Sequence, residues 1–268
     1  EWLPRLCTME TVISYCLTEP GSGSDAAALR TKAERTNEGW SLTGTKAFIS
    51  GGGYSDAYVV MCRTGDDGPR GVSALIIEDG AEGLSFGALE DKMGWRASPT
   101  AQVQFDGAKT SAANLIGEEG RGFAYAMAGL DGGRLNIAAS ALGAAQSALD
   151  ATLTYMGERK AFGKSIMEFQ NTRFKLVEQV TKTQAARAYL DACIVAHLRG
   201  ELSVEQAAMQ KYWLTDTQGE VIDECLQLHG GYGFMMEYAI GEMYTDARVQ
   251  RIYGGTNEIM KELASRAL

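Results

Sequence analysis

The sequence predicts an α+β protein in two parts: an antiparallel β-barrel or sandwich over residues 1–116, then an all-α bundle over residues 117–268. Two observations predict this division. The first part contains short segments rich in β-branched and aromatic residues, separated by glycine, asparagine, aspartate and proline. The second part contains long stretches with apolar residues at helical spacing, and no proline follows Pro99.

Short apolar segments in the first part predict the strands. Glycine at 51–53 and the sequence at 64–69 have turn chemistry, because glycine supplies positive φ and proline fixes φ. Strands at this spacing are typical of antiparallel sandwiches and barrels. The predicted strands cover residues 11–14, 40–43, 57–63, 72–78, 84–88 and 101–105.

Apolar residues at i, i+3, i+4 and i+7 predict the helices of the second part. The spacing of apolar residues changes to this helical pattern after the glycine- and glutamate-rich residues 117–122. The predicted helices cover residues 123–155, 171–198, 204–228, 238–252 and 256–267.

The composition argues against several classes of protein. The 268 residues carry a formal net charge of −9, which disfavours nucleic acid and anionic membranes as general partners. The apolar runs are far below the ~20 residues that a membrane helix needs. Five scattered cysteines without a C-x-x-C pair argue against a disulfide scaffold and a metal site, and favour a reducing compartment. The chain starts at Glu1 without a signal segment, which suggests a fragment or a processed chain.

The glycine-rich segment at residues 15–25 is the most informative motif. Small residues follow Pro20, so the backbone can approach a flat or phosphorylated ligand closely. Thr18 and Ser24 can donate hydrogen bonds, and neighbouring N–H groups can form an anion-binding nest. A glycine-rich hairpin loop without a ligand explains the same residues, so both interpretations stay open.

Two motifs of the helical part also allow both a ligand-binding and a structural interpretation. Arg159 can pair with a phosphate and Phe162 can stack on a planar ring. The alternative is a basic helix C-terminus that ends at Gly163. Residues 227–234 predict a tight loop between helices whose N–H groups face a ligand, and His229 within it is more often structural than catalytic. With two histidines in the chain, histidine-based nucleophilic or metal chemistry is disfavoured.

A glycine turn precedes the last predicted helix. Gly254 and Gly255 lead into this helix, and Thr256 or Asn257 is its natural N-cap. A helix N-terminus of this kind favours a pyrophosphate or a ribose. Arg134, in the first predicted helix, is either a solvated charge or a partner for an anionic substrate tail.

Together and in this order, these motifs resemble the acyl-CoA dehydrogenase flavoproteins, in particular the short branched-chain members. The resemblance extends over essentially the whole chain. It implies a middle β-domain and a C-terminal four-helix bundle that drives formation of a homotetramer or homodimer. The all-α N-terminal domain of the family is expected to be absent. The motifs that carry the resemblance lie at residues 6–10, 15–25, 47–51, 58–65, 132–138, 159–163, 227–234 and 254–258.

The resemblance assigns ligand contacts by position, with FAD as the implied cofactor. The contacts at 159–170 and 227–231 would reach FAD from a neighbouring subunit. The acyl-CoA contacts would be Ser24, Asp131, Gly132, Gly133, Arg134 and Gly255. The FAD contacts would be Tyr15, Leu17, Thr18, Gly23, Ser24, Phe48, Ile49, Ser50, Arg159, Phe162, Gln170, Gln227, Leu228, Gly230, Gly231, Thr256 and Glu258.

Both positions at which the family carries its catalytic glutamate are glycines in this sequence. They are Gly254, before the Gly-Thr pair, and Gly133, before an arginine. Gly254 keeps the backbone N–H that holds the thioester carbonyl in the family, so carbonyl binding is expected to survive loss of the base. Asp131 is an alternative base, although two residues along a helix point it about 160° away from position 133. Glu258 lies one turn after Gly254 and is expected at the flavin.

The implied reaction is FAD-dependent α,β-dehydrogenation of a short branched-chain acyl-CoA to the 2,3-enoyl-CoA, with electrons passed to an electron-transferring flavoprotein. Because the base is missing, two alternatives remain. One is an acyl-CoA- or FAD-binding protein without dehydrogenase activity, and the other is a non-functional fragment. The resemblance implies a cytoplasmic location in a bacterium and the mitochondrial matrix in a eukaryote.

Overall fold

The computed structural model describes residues 2–268, and the side chain of Asp131 lies outside the described part. The predicted α+β fold, with strands before helices, is confirmed. In chain order the elements are α1 (Trp2–Cys7), β1 (Ile13–Cys16), β2 (Lys32–Arg35), β3 (Gly39–Ser50), β4 (Ala57–Arg63), β5 (Val72–Glu78), β6 (Leu84–Phe86), β7 (Thr100–Ser111), α2 (Gly122–Glu158), β8 (Lys160–Ala161), β9 (Lys164–Ser165), α3 (Gln170–Leu198), α4 (Val204–His229), α5 (Ala239–Ala247) and α6 (Asn257–Ser265).

β1 to β7 form one sheet in the order β1-β4-β2-β3-β7-β6, with β5 paired to β4. β1 and β2 both pair with β4 in parallel, so the sheet is mixed where an antiparallel one is predicted. β2 lies outside the predicted strands because Ala33 is its one buried residue among charged neighbours. A strand with so little apolar character gives no alternating signal.

The core of the β unit comes from the inward-facing residues of neighbouring strands. Trp40 and Leu42 of β3 pack with Tyr58 and Val60 of β4 and with Leu75 of β5, and each is at most 2% exposed. Burial of one large apolar side chain contributes roughly 1.5–3 kcal/mol to folding. The glycine-rich segments that leave these strands therefore start from a packed core.

Four helices agree with their predicted ranges to within three residues at each end: α2, α3, α4 and α6. α5 is shorter than the predicted helix at 238–252, because the chain tightens into a 3₁₀ turn at Arg248–Arg251. The apolar faces of α2 and α4 meet in one core, where Ala148 and Leu149 pack with Val221 and Ile222.

Residues 159–163 belong to a β-hairpin, and their interpretation as a helix C-terminus is wrong. α2 ends at Glu158, and β8 pairs with β9 through Lys160 and Ser165. Phe162 and Gly163 form the turn with φ values of 52° and 79°. Positive φ at both central residues is the requirement of a type I′ turn. The sequence did not indicate this turn, because basic residues followed by a glycine are also typical of a helix C-terminus.

Backbone contacts divide the chain into two compact units. One contains the residues up to Lys92 and Arg96–Ala128, and the other contains Met93–Trp95 and Gly129–Leu268. The division falls inside α2, beyond the predicted change at residue 117, because Ala126 packs with the β unit in the cluster around Met61. None of the helices in the described part of the chain is long and apolar enough to cross a membrane.

Candidate functional site

The glycine-rich segment leaves the sheet at the end of β1. Glu19 and Ser22 exchange backbone hydrogen bonds of 3.0 and 3.1 Å around Pro20 and Gly21, so the segment contains the tight hairpin that one interpretation predicts. A Cβ added at Gly21 or Gly23 would meet no atom within 4 Å. The hairpin therefore exposes glycine backbone to open space, and the ligand interpretation remains compatible with it.

The end of β3 lies next to this segment. The Ala47 N–H donates to the Thr18 carbonyl at 2.8 Å, so the predicted contacts at 17–18 and 48–50 come together. Phe48 is 69% exposed at a φ of 58°, where the β3–β7 register shifts. Non-glycine residues at positive φ concentrate at functional sites.

The remaining predicted contacts of the β unit differ in accessibility. Tyr15 and Ser24 are exposed, and Leu17 is half-buried. Ser50 is exposed, with its carbonyl accepting the Ser14 hydroxyl. The Ile49 side chain is 2% exposed in the β core, so only its backbone is available to a ligand.

The helical unit contains a cavity of about 550 Å³ that brings predicted contacts from two separate motifs together. Arg159, from the end of α2, lies with residues of the loop after α4. Gly230 and Gly231 line the cavity with bare backbone, since a Cβ on either would meet no atom within 4 Å. The predicted contacts in the lining are Arg159, Gln227, Leu228, Gly230 and Gly231.

Aromatic side chains shape the same cavity. The His229 ring stacks on Tyr155 with centroids 4.3 Å apart, and His229 Nδ1 lies 2.8 Å from the Cys225 carbonyl. Because a carbonyl only accepts, Nδ1 carries the proton and His229 has the structural role. The Arg159 guanidinium lies 5.2 Å from the centre of the Tyr232 ring.

Phe162 and Gln170, two of the predicted FAD contacts near Arg159 in sequence, are not in the lining of this cavity. Phe162 is 94% exposed on the hairpin turn and touches Phe169 edge to face. Gln170 is exposed at the start of α3.

The turn before α6 adopts the conformation that its glycines allow. Gly254 and Gly255 have φ values of 64° and 93°. Thr256 is the N-cap, since its hydroxyl accepts the Ile259 N–H at 3.3 Å. A Cβ on Gly254 would collide with Cδ1 of Ile137 in α2. A side chain at position 254 therefore requires Ile137 to move.

The second family base position faces the same region. Gly133 lies one turn before Ile137 on the same face of α2, and a Cβ on Gly133 would meet no atom within 4 Å. Gly132 is equally open, and Arg134 is 6% exposed. The side chain of Asp131 lies outside the described residues, so its role as an alternative base stays a prediction.

Sequence reasoning missed Lys211, which holds the glycine turn. Lys211 is fully buried, and its Nζ donates to the Gly255 carbonyl at 2.8 Å and to Asn257 Oδ1 at 3.0 Å. Burial lowers its pKa to about 8, Asp216 and Glu258 oppose the shift, and Arg134 adds to it. The signal was present, because Lys211 falls on the apolar phase of α4.

A second buried lysine was missed in the β unit. Lys46 Nζ lies 2.8 Å from Glu19 Oε1, with exposures of 0% and 7% for the two side chains. Lys46 is a buried residue of β3, and its place in the sequence of this strand was the one indication of its burial.

A mixed-sheet unit followed by a helical bundle is the architecture of the acyl-CoA dehydrogenase class of proteins. The chain belongs to the acyl-CoA dehydrogenase family. The model of the family's middle domain matches residues 14–108, and that of its C-terminal domain matches residues 120–268. The family resemblance drawn from the motifs is thereby confirmed.

Individual relatives cover nearly all of this chain. It is 46% identical over 266 residues to isobutyryl-CoA dehydrogenase, mitochondrial, of Bos taurus, with 99% of this chain and 64% of that protein covered. It resembles the acyl-CoA dehydrogenase of Geobacillus kaustophilus, with a TM-score of 0.97, 40% identity, and 99% and 71% coverage. A glutaryl-CoA dehydrogenase of Mycobacterium smegmatis in complex with FADH2 follows, with a TM-score of 0.92, 26% identity, and 99% and 68% coverage. The chain thus spans about 64% of the length of the bovine relative.

The buried Lys211 predicts a specific pH dependence of stability. Its pKa is about 8 in the folded chain and near 10.5 otherwise, so between these values the unfolded chain holds a proton that the folded chain has lost. Raising the pH through this window favours folding, by up to about 3 kcal/mol at about 1.4 kcal/mol per pKa unit. Denaturant unfolding gives the free energy of unfolding of the wild type and of Lys211→Met at several pH values between 7 and 10. The wild-type value is expected to rise with pH relative to that of Lys211→Met.

A second lysine variant controls for the general effect of losing a charge. Lys182 is 43% exposed and pairs with Glu220 at 2.8 Å, so Lys182→Met is the matched change. A pH-independent difference between the wild type and Lys211→Met would contradict the prediction.

Proposed function

We propose that the protein is a FAD-dependent oxidoreductase that converts a short branched-chain acyl-CoA to the 2,3-enoyl-CoA and passes electrons to an electron-transferring flavoprotein. Membership of the acyl-CoA dehydrogenase family supports the reaction class. The 46% identity to an isobutyryl-CoA dehydrogenase supports the choice of acyl group.

The observation that carries the proposal is the backbone of the turn before α6. Among the described residues, the N–H groups of Gly254 and Gly255 donate to no protein acceptor. Lys211 fixes the Gly255 carbonyl, so the turn keeps one orientation. An oriented, unused N–H at position 254 is suited to grip a thioester carbonyl and to stabilise the charge that develops when Cα loses its proton.

The cavity of the helical unit fits a nucleotide cofactor. Arg159 offers a cation to a phosphate, and Gly230 and Gly231 let backbone N–H groups approach a ligand. FAD, when bound, accepts hydride from Cβ of the substrate. The residues of this cavity bind and orient the cofactor, and proton abstraction falls to another part of the chain.

Neither family base position provides a carboxylate that could remove the proton from the substrate Cα. Positions 254 and 133 carry no side chain, and Asp131 is the carboxylate nearest in sequence to position 133. Loss of a general base typically costs ~10²–10⁴ in rate. We therefore propose that carbonyl binding is retained and that proton abstraction limits the reaction.

A larger side chain in the cavity tests the cofactor assignment. Gly231→Leu is expected to fold normally, because its Cβ meets no neighbour, and to lower FAD affinity by filling the cavity. Flavin absorbance after gel filtration measures the FAD retained. Gly143→Leu is the control, since Gly143 is equally open but lies in α2 outside the lining. Equal FAD content in the two variants would contradict the assignment.

Restoring a carboxylate tests the missing base. Gly133→Glu is unhindered, whereas Gly254→Glu is combined with Ile137→Val to relieve the collision. After anaerobic addition of isobutyryl-CoA to FAD-loaded protein, a glutamate that reaches Cα is expected to bleach the flavin ~10²–10⁴-fold faster than the wild type does.

Glutamine at the same positions provides the isosteric control. Gly133→Gln and Gly254→Gln with Ile137→Val match the size of the glutamate variants but cannot accept the proton. If the flavin bleaches at the same rate in the glutamate and glutamine variants, and both bind isobutyryl-CoA, the missing base does not limit the rate of flavin reduction.

The absent side chains also favour a second candidate function, an acyl-CoA- or FAD-binding protein without dehydrogenase activity. In that case isobutyryl-CoA shifts the flavin absorbance of the wild type without bleaching it. Wild-type bleaching during the same titration supports the dehydrogenase, and Asp131→Asn then tests the remaining carboxylate.

We also propose that the chain forms a homotetramer or homodimer. Phe174 and Val177 lie one turn apart on α3 and are 58% and 63% exposed. Apolar side chains on one helix face are typical of surfaces that associate.

A further inference from the structure

A nearly buried ion pair lies behind the glycine-rich segment of the β unit. Lys46 is fully buried and Glu19 is 7% exposed, with Nζ and Oε1 2.8 Å apart. Replacing a buried pair of this kind with apolar residues is often neutral or stabilising. Stability alone therefore does not account for a lysine in the middle of β3.

The carboxylate of Glu19 is hydrogen-bonded on both oxygens. Oε2 accepts the Arg30 N–H at 2.7 Å, and Oε1 accepts the Thr31 N–H at 2.9 Å in addition to Lys46. Desolvation raises the pKa of Glu19, but Lys46, the Arg30 N–H and Thr31 outweigh it, so the net pKa lies below its usual value. Burial lowers the pKa of Lys46, and Glu19 opposes that shift. The carboxylate is therefore ionised at neutral pH, with the Lys46 Nζ 2.8 Å from its Oε1.

Lys46 and Ala47 of β3 together hold three consecutive residues of the glycine-rich segment. Lys46 Nζ donates to the Leu17 carbonyl at 2.9 Å as well as to Glu19. The next residue of β3, Ala47, donates its N–H to the Thr18 carbonyl at 2.8 Å. Leu17, Thr18 and Glu19 are therefore each bonded to one of two adjacent β3 residues.

The same two β3 residues directly precede Phe48, whose φ is 58°. The pairing of β3 with β7 is irregular between Lys46 and Ile49, so the sheet alone does not fix this stretch. The buried pair lies at the point where both stretches proposed for the flavin, 17–18 and 48–50, depart from regular strand geometry.

We propose that Glu19 and Lys46 are positioning residues of the flavin site, which hold Leu17 and Thr18 at one fixed distance from the turn of β3 at Phe48. The inference rests on the proposed function and deepens it. Neither side chain reaches a ligand, since both are buried; they act through the Leu17 carbonyl and the backbone around Thr18.

Charge removal in one and then both partners separates positioning from stability. Lys46→Met and Glu19→Gln each leave one buried polar partner unmatched and are expected to lower Tm. The double variant leaves no buried charge and is expected to recover part of the Tm that each single variant loses. If the pair positions the site, the recovered protein still binds FAD roughly ten- to a hundredfold more weakly and shows shifted visible flavin bands.

An exposed pair in the same unit is the matched control. Lys109 and Glu82 lie 2.7 Å apart with exposures of 61% and 80%, so Lys109→Met with Glu82→Gln removes the same two charges. This control is expected to keep wild-type FAD affinity and flavin spectrum. If the Lys46→Met, Glu19→Gln double variant shows wild-type FAD affinity and a wild-type flavin spectrum, Glu19 and Lys46 do not position the flavin site.

Glu19→Asp keeps the proposal testable if the double variant does not fold. Aspartate retains the charge but shortens the reach by one methylene, so positioning predicts weaker FAD binding and a shifted spectrum. A folded Glu19→Asp protein with wild-type values contradicts it.

Amide hydrogen exchange without FAD separates this inference from the proposed function. The double variant is expected to exchange faster at residues 17–19 and 46–50 and at the wild-type rate in β4 and β5. Unchanged exchange overturns the positioning role, whereas failure of the wild type to bind FAD overturns the proposed function instead.

Discussion

The requirement that a buried charge be fully hydrogen-bonded governs two glycine-containing segments of this protein. An ammonium group taken out of water needs oxygen acceptors at fixed positions. Lys46 finds them in the Leu17 carbonyl and Glu19, and Lys211 finds them in the Gly255 carbonyl and Asn257. In each unit, therefore, one lysine fixes a backbone carbonyl beside a glycine-containing segment, and the backbone that carries the N–H groups is oriented as a consequence.

Two of the non-glycine residues at positive φ, Phe48 and Phe162, belong to motifs that the sequence analysis singled out. Phe48 and Phe162 have φ values of 58° and 52°, which cost a bulky residue roughly 1–2 kcal/mol each. Both side chains are largely exposed, so burial does not repay that cost within the chain. Exposed aromatic rings in strained conformations are typical of surfaces that pack against a ligand or another chain. The family resemblance assigns both residues to the flavin.

Much of the fold follows from periodicity, and the exceptions have local causes. β4 and β5 coincide with their predicted ranges because both strands are buried on both faces and form nearly continuous apolar runs. β2 carries one buried residue and the hairpin at β8 and β9 carries none, so neither produces an alternating pattern. For the candidate site, residue type identified Arg159 and the glycines of its cavity. Lys46 and Lys211 were missed because lysine is rarely buried, and only its phase within a strand or helix reveals it.

Under the proposed function, a glycine in place of the family glutamate removes the base but keeps the backbone N–H of position 254. A general base is worth ~10²–10⁴ in rate. A single oriented donor at a developing oxyanion is worth ~10²–10³, and under the proposed function the Gly254 N–H, which donates to no acceptor among the described residues, is that donor. The space that a side chain at position 254 would need is filled by Ile137, whereas position 133, one turn earlier on the same face of α2, is open. Under the proposed function, this turn holds an acyl thioester by its carbonyl, and removal of the proton from the substrate Cα requires a carboxylate from elsewhere in the chain.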